Sequence, residues 1–184
     1  MLRFALVACV PVCLAACLDL GDQIIQGSAI LTGQDDSSAI TVCGACPLNG
    51  GGRTCFCTSV APDGSYWLHQ EVSGPNPFTA SAPSTLAAVS FSVDGDGNVV
   101  APPVMLTPLG SVTGTISGPA DLDGVIVSVD GSSNVAATDA TGAFTLTNVV
   151  SGPQSLTAFQ GSAAAHAAIV VPYADVATVA LQLE

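Results

Sequence analysis

Apolar and polar positions alternate with a period of two along most of the C-terminal half. Val125, Val127 and Val129 alternate with Ile126 and Ser128, and Phe144 and Leu146 with Ala143, Thr145 and Thr147. Ala167, Ile169 and Val171 alternate with His166, Ala168 and Val170, and Val179, Leu181 and Leu183 with Thr178, Ala180 and Gln182. Successive side chains of a strand point to opposite faces, so this period predicts strands with one face buried. Gly118-Pro119, Asp123-Gly124, Asp130-Gly131, Thr141-Gly142 and Ser151-Gly152-Pro153 punctuate the runs as turns. Turns roughly every ten residues predict an antiparallel sandwich. The alanine-rich run 163–168 is short, lacks a cap and continues into Ile169-Val170-Val171-Pro172, so it reads as strand too.

The first half carries a similar series. Gly27 to Gly33 parallels Val112 to Gly118, Ala39-Ile40-Thr41-Val42 parallels Ile126 to Val129, Asp63 to Leu68 parallels Thr141 to Leu146, and Val104-Met105-Leu106 parallels Leu181-Gln182-Leu183. The offsets are 85, 87, 78 and 77 residues, a drift that loop lengths allow. An all-β chain of two tandem, small, antiparallel Greek-key β-sandwich domains is expected, over 25–108 and 109–184. They would join near Thr107-Pro108-Leu109-Gly110.

Composition narrows the function. The 184 residues include 14 Asp and Glu but only two Lys and Arg, with a net charge of −12. Nucleic acid is excluded as a partner, because neutralising phosphates needs clustered cations. The N-terminus reads as an address. Arg3 is followed by an uncharged apolar run, Phe4 to Ala16, shorter than the roughly 20 residues that span a bilayer. The run ends Leu14-Ala15-Ala16-Cys17, which resembles the lipobox of bacterial lipoproteins. The resemblance implies a signal peptide over 1–16, cleavage between Ala16 and Cys17, acylation of the Cys17 thiol (the palmitate-bearing cysteine of a lipoprotein) and a lipid-anchored tether over 17–24. Leu18 in place of Asp directly after the cysteine implies sorting to the outer membrane. Without Arg3 the mature chain keeps Arg53 alone, so membrane attachment must come from acyl chains, not a basic patch.

The second half also resembles a family. Val112-x-Gly114-x-Ile116 is followed by Leu122-Asp123-Gly124-Val125-x-Val127-x-Val129. Then come Thr138-Asp139-Ala140-Thr141-Gly142-Ala143-Phe144-x-Leu146-x-Asn148-Val149 and Ser151-Gly152-Pro153-x-x-Leu156. This is similar to the carboxypeptidase regulatory-like domain, with Leu156 where that family usually has an aromatic. The resemblance implies a seven-stranded sandwich of the transthyretin (prealbumin) type that carries no catalytic residues. In local terms Gly142 should take a positive φ, Asp139 should cap the turn through its carboxylate and Phe144 should plug the core.

Four cysteines remain in the mature chain beyond Cys17: Cys43, Cys46, Cys55 and Cys57, spaced C-x2-C-x8-C-x-C around a Gly-rich turn. They can form two disulfides or hold tetrahedral zinc as four thiolates. An exported chain favours disulfides, and a nested ladder, Cys43–Cys57 and Cys46–Cys55, is the expected connectivity. Cys43-Gly44-Ala45-Cys46 runs into Pro47 rather than into a helix, which argues against a redox centre of the thioredoxin kind. Asp94-Gly95-Asp96-Gly97-Asn98 has calcium-loop spacing, but Val99 and Met105 stand where such a loop needs Gly and a bidentate acid. His69 and His166 fall on the outward parity of their strands, and no G-x-S-x-G accompanies them. Phe56, Trp67, Phe78 and Tyr173 read as core or turn packing; clustered on one sheet face they would instead favour sugar binding.

The resulting expectation is a non-catalytic, lipid-anchored cell-envelope protein with a structural, spacing or adhesive role, without a cofactor or resident metal. Its partners are the membrane, through the lipid, and an envelope polysaccharide or protein. A carbohydrate- or peptide-binding module is the first alternative and a redox or metal-binding protein the second.

Overall fold

A computed structural model describes residues 24–44, 48–49, 52–53, 56–69, 75–94, 98–118 and 121–184. Cleavage at Ala16, Cys17, the tether up to residue 23, Cys46 and Cys55 lie outside them. Among the described residues every regular element is a strand. The first half contains β1 (Ile24–Leu31), β2 (Thr41–Gly44), β3 (Leu48–Asn49), β4 (Gly52–Arg53), β5 (Cys57–Ser59), β6 (Ser65–His69), β7 (Asn76–Ser81), β8 (Val89–Val93), β9 (Val99–Val100) and β10 (Val104–Leu106). One sheet runs β10-β1-β6, with β9 also paired to β1; a second runs β5-β2-β7-β8; β3 and β4 pair with each other. β9 and β10 follow β1 as two pieces of one course, interrupted by Pro102 and Pro103, which have no N–H to give to a ladder.

The second half contains β11 (Leu109–Ser117), β12 (Ile126–Val129), β13 (Val135–Ala137), β14 (Ala143–Val150), β15 (Gly152–Gln160), β16 (Ala163–Val171) and β17 (Val176–Gln182). Its sheets run β14-β11-β17 and β13-β12-β15-β16, the same orders as in the first half. Seven strands in a three-plus-four arrangement match the number that the family resemblance implies. The sheets are not purely antiparallel, however. β1 pairs parallel with β10, and β11 parallel with β17. The last strand of each half crosses between sheets to reach the first one, and such a crossover arrives parallel.

Equivalent hydrogen bonds fix the internal register. The Ala29 N–H donates to Gly64 O and the Ile116 N–H to Gly142 O. Gly27 faces Tyr66 across β1 and β6, just as Gly114 faces Phe144 across β11 and β14. Gly27 therefore corresponds to Gly114, two residues away from the match read in the sequence, and Ile25-x-Gly27-x-Ala29 is the first half's counterpart of Val112-x-Gly114-x-Ile116. A weak apolar pattern tolerates a two-residue slip because inward positions stay inward. The Thr141-Gly142 turn behaves as expected: Gly142 has φ 79°, Asp139 caps it and Phe144 is buried.

Two separate apolar clusters result. One gathers Ile25, Leu31, Ile40, Val42, Phe78 and Leu106 with their neighbours; the other gathers Val112, Val127, Val129, Phe144, Leu156 and Leu181 with theirs. In the first, Phe78 stacks on Phe91 with ring centroids 5.6 Å apart. The halves meet at Leu109. Its N–H donates to Ser84 O of the first half at 2.7 Å, and its carbonyl accepts the Ala174 N–H of the second at 2.9 Å. Tyr173 of the second half packs against the first cluster and donates its hydroxyl to Pro83 O at 2.8 Å. Ser84, Asn148 and Ala174, the described non-glycine residues with positive φ, all border one small hollow of about 180 Å³ beside Leu109 and Gly110.

Candidate functional site

The cysteine-bearing loop is the most distinctive chemistry of the chain. β2 and β5 pair antiparallel with Cys43 directly opposite Cys57, and the two sulfurs are bonded. Sulfurs joined to each other are not thiolates, so the four-thiolate zinc alternative loses two of its ligands at once. The loop between them carries the β3–β4 pairing, Leu48 opposite Arg53 and Asn49 opposite Gly52.

Beside this bridge lies a shallow cleft of about 350 Å³, lined by Phe56, Cys57, Thr58, Trp67, Leu68 and His69. Its rings come from period-two geometry. Tyr66 and Leu68 take the inward positions of β6, so Trp67 and His69 must face outward. Trp67 is 50% exposed and Phe56 42%. Gln26 of β1 is exposed and stands opposite Trp67, adding a polar group to the same face. The expectation that the aromatics serve packing holds for Phe78, which is buried, and for Tyr173 at the junction. It fails for Phe56 and Trp67, which share this cleft. The alternation around Trp67 was the signal available in the sequence.

The carboxylates that depart from ordinary values serve their own turns. Ser65 donates its backbone N–H and its hydroxyl to Asp63, and Ser38 its backbone N–H to Asp36, holding both carboxyls below the usual range. Asp139 is held low first by the Thr141 hydroxyl, then by the Ala143 and Thr141 N–H groups. All three are fully exposed caps of tight turns.

A third grouping was not visible in the sequence. On the outer face of β15 and β16 the Thr157 hydroxyl donates to Asp130 Oδ1 at 2.8 Å and lies 2.9 Å from His166 Nδ1. A hydroxyl has one proton, so with Asp130 accepting it, His166 carries hydrogen on Nδ1 and donates to Thr157. A hydrolytic triad places the imidazole between hydroxyl and carboxylate. Here the hydroxyl is in the middle, with carboxylate and imidazole both bonded to it, so the three groups do not follow the triad order. Both histidines are exposed, as their parity implied.

No protein-family model matches the sequence, and no curated protein matches it. Solved structures with a similar course of chain include a minor pilin of Streptococcus agalactiae, at 11% identity, covering 88% of this chain and 95% of that one with a TM-score of 0.39. A streptococcal ancillary pilin aligns at 11% identity over 90% of this chain and 63% of that one, TM-score 0.35. A shaft pilin of Lactobacillus rhamnosus GG aligns at 9% identity over 89% and 98%, TM-score 0.34. Likenesses this loose bring neither a family nor a function to the chain.

Proposed function

We propose that this is a non-catalytic, lipid-anchored cell-envelope protein whose tandem sandwiches space or display an adhesive surface away from the membrane. The observation that supports the structural part most directly is the repeat itself. Two sandwiches of one strand order follow each other with Leu109 at the junction, its backbone bonded to both. The acids with lowered pKa cap their own turns, and Thr157, Asp130 and His166 do not follow the hydroxyl–imidazole–carboxylate order of a hydrolytic triad. The anchored part rests on the lipobox resemblance of Leu14-Ala15-Ala16-Cys17, with residues 1–16 removed and 17–24 as tether. Several acyl chains on Cys17 would hold firmly where one would not. Leu18 supports the outer membrane as destination. In this reading residues 109–184 form a carboxypeptidase regulatory-like domain and 25–108 a diverged copy with the cysteine loop inserted. Metabolic labelling with a fatty-acid analogue tests the anchor: the wild type takes up label and fractionates with outer membranes, and Cys17→Ala does neither. An unlabelled wild type ends the lipoprotein reading.

A further inference from the structure

We propose that the cleft between β5 and β6 is a binding site for a neutral glycan, with a sugar ring stacked on the Trp67 indole. The proposal rests on the adhesive half of the reading above and gives it a ligand class. An indole in the outward row of a strand stands outside the core, and half of its surface meets solvent. The second ring, Phe56, directly precedes β5 of the opposite sheet, so two aromatic side chains border one hollow. The polar groups around them, Thr58, His69 and the neighbouring Gln26, can donate and accept hydrogen bonds without carrying a fixed charge. Apolar faces with a few polar groups at the rim are what a sugar requires, since a pyranose has C–H faces and a belt of hydroxyls. The volume, about 350 Å³, falls in the range of small-ligand sites rather than of protein interfaces.

Charge and strand length select among occupants. A chain of net charge −12 with two cationic side chains repels acidic polysaccharides, and among the described residues no carboxylate or guanidinium lines the cleft. A peptide added as a strand needs a long open edge, yet β5 has three residues and β6 five. The Cys43–Cys57 bridge ties β5 to β2 at one border of the cleft, which limits the ordering that binding would require.

The chain has a single tryptophan, so its fluorescence reports on this cleft alone. The mature, detergent-solubilised full-length protein is titrated with maltohexaose, cellohexaose and chitohexaose. At least one of them should give a saturable emission change. By calorimetry Trp67→Ala should then bind that oligosaccharide about tenfold more weakly or worse, Phe56→Ala should weaken it less, and Trp67→Phe should recover part of the loss, all with thermal unfolding close to wild type. No saturable response to any of the three, or wild-type affinity in Trp67→Ala, overturns the proposal. A saturable response to an apolar peptide in place of the sugars overturns it as well. Attachment of whole cells, compared with a strain lacking the protein, separates the two readings. Attachment that survives Trp67→Ala sinks the glycan cleft and leaves the adhesive role standing. Glycan binding by the purified protein without any contribution to attachment does the reverse.

Discussion

Gly114 and Phe144 face each other across β11 and β14, and the phenyl ring fills the space that a β-carbon on Gly114 would take. That β-carbon would fall 2.6 Å from the ring's Cζ and 2.5 Å from the carbonyl oxygen of Val179. The ring can turn aside, but the carbonyl belongs to the neighbouring parallel strand and moves only if the β11–β17 ladder loosens. At Gly27 the nearest atoms all belong to the Tyr66 side chain, with Cζ at 2.5 Å. Gly114→Ala should therefore destabilise the protein by about 1–3 kcal/mol, and Gly27→Ala by less. Chemical denaturation of the two variants gives the order, and equal losses would show that the Val179 carbonyl yields freely.

Tyr66 sits where the second half has Phe144, and its hydroxyl is buried without a hydrogen-bond partner among the described residues. Removing that oxygen should help, so Tyr66→Phe is expected to gain about 1 kcal/mol. Burial also pushes the Tyr66 hydroxyl from 10.0 up to about 12. An acid whose folded pKa is raised keeps its full contribution below the unfolded pKa and loses it as pH rises toward the folded one. Wild-type stability should thus fall between about pH 10 and about pH 12, and Tyr66→Phe should fall less. Parallel curves for the two proteins, measured by urea denaturation against pH, would show that the hydroxyl finds a partner.

The Cys43–Cys57 bridge closes a loop with a sequence separation of 14. In the chain-entropy picture such a loop contributes about 3 kcal/mol. Replacing both cysteines with serine should cost the first half roughly that amount and leave the second half unchanged. The nested ladder expected from the sequence joins Cys46 to Cys55 inside that bridge. Peptide mapping of the non-reduced protein should accordingly recover a Cys46–Cys55 link and no bound zinc. Free thiols at both positions would leave a single bridge in the loop.

Residues 109–184 hold one complete apolar cluster. As an isolated fragment they should unfold cooperatively with a β-type circular dichroism spectrum. A unit of this size buries only about 60% of its unfolded surface, so its stability should be modest. It should also unfold more readily than the same residues in the full chain, because Leu109 loses Ser84 O and Tyr173 loses Pro83 O. A random-coil spectrum would mean that the two halves cannot be divided there.

Much of this fold was legible from period two alone. The inward residues Val125, Val127, Val129, Phe144, Leu146 and Leu181 are buried, and the alanine-rich run became β16. The direction of the last strand in each half was not legible, because a half-buried strand has the same alternation whether its neighbour runs parallel or antiparallel. Asp130, Thr157 and His166 come from separate strands and turns, so only sheet register brings them together. Trp67 was readable as outward once Tyr66 and Leu68 were assigned to the core. Its meeting with Phe56 depends on how the two sheet edges close. Asn148 is a residue type that tolerates a left-handed backbone, whereas nothing about Ser84 or Ala174 announces one.

Parallel pairing of the first and last strands has a mechanical meaning. The chain enters each sandwich at one end of β1 or β11 and leaves beyond the opposite end of β10 or β17. Tension applied between the two ends of such a sandwich therefore runs along these strands. It loads their evenly spaced hydrogen bonds in shear, all together, instead of peeling them apart one at a time. The load falls on seven residue pairs between β11 and β17 but on only three between β1 and β10, so the first half is the weaker link along that line.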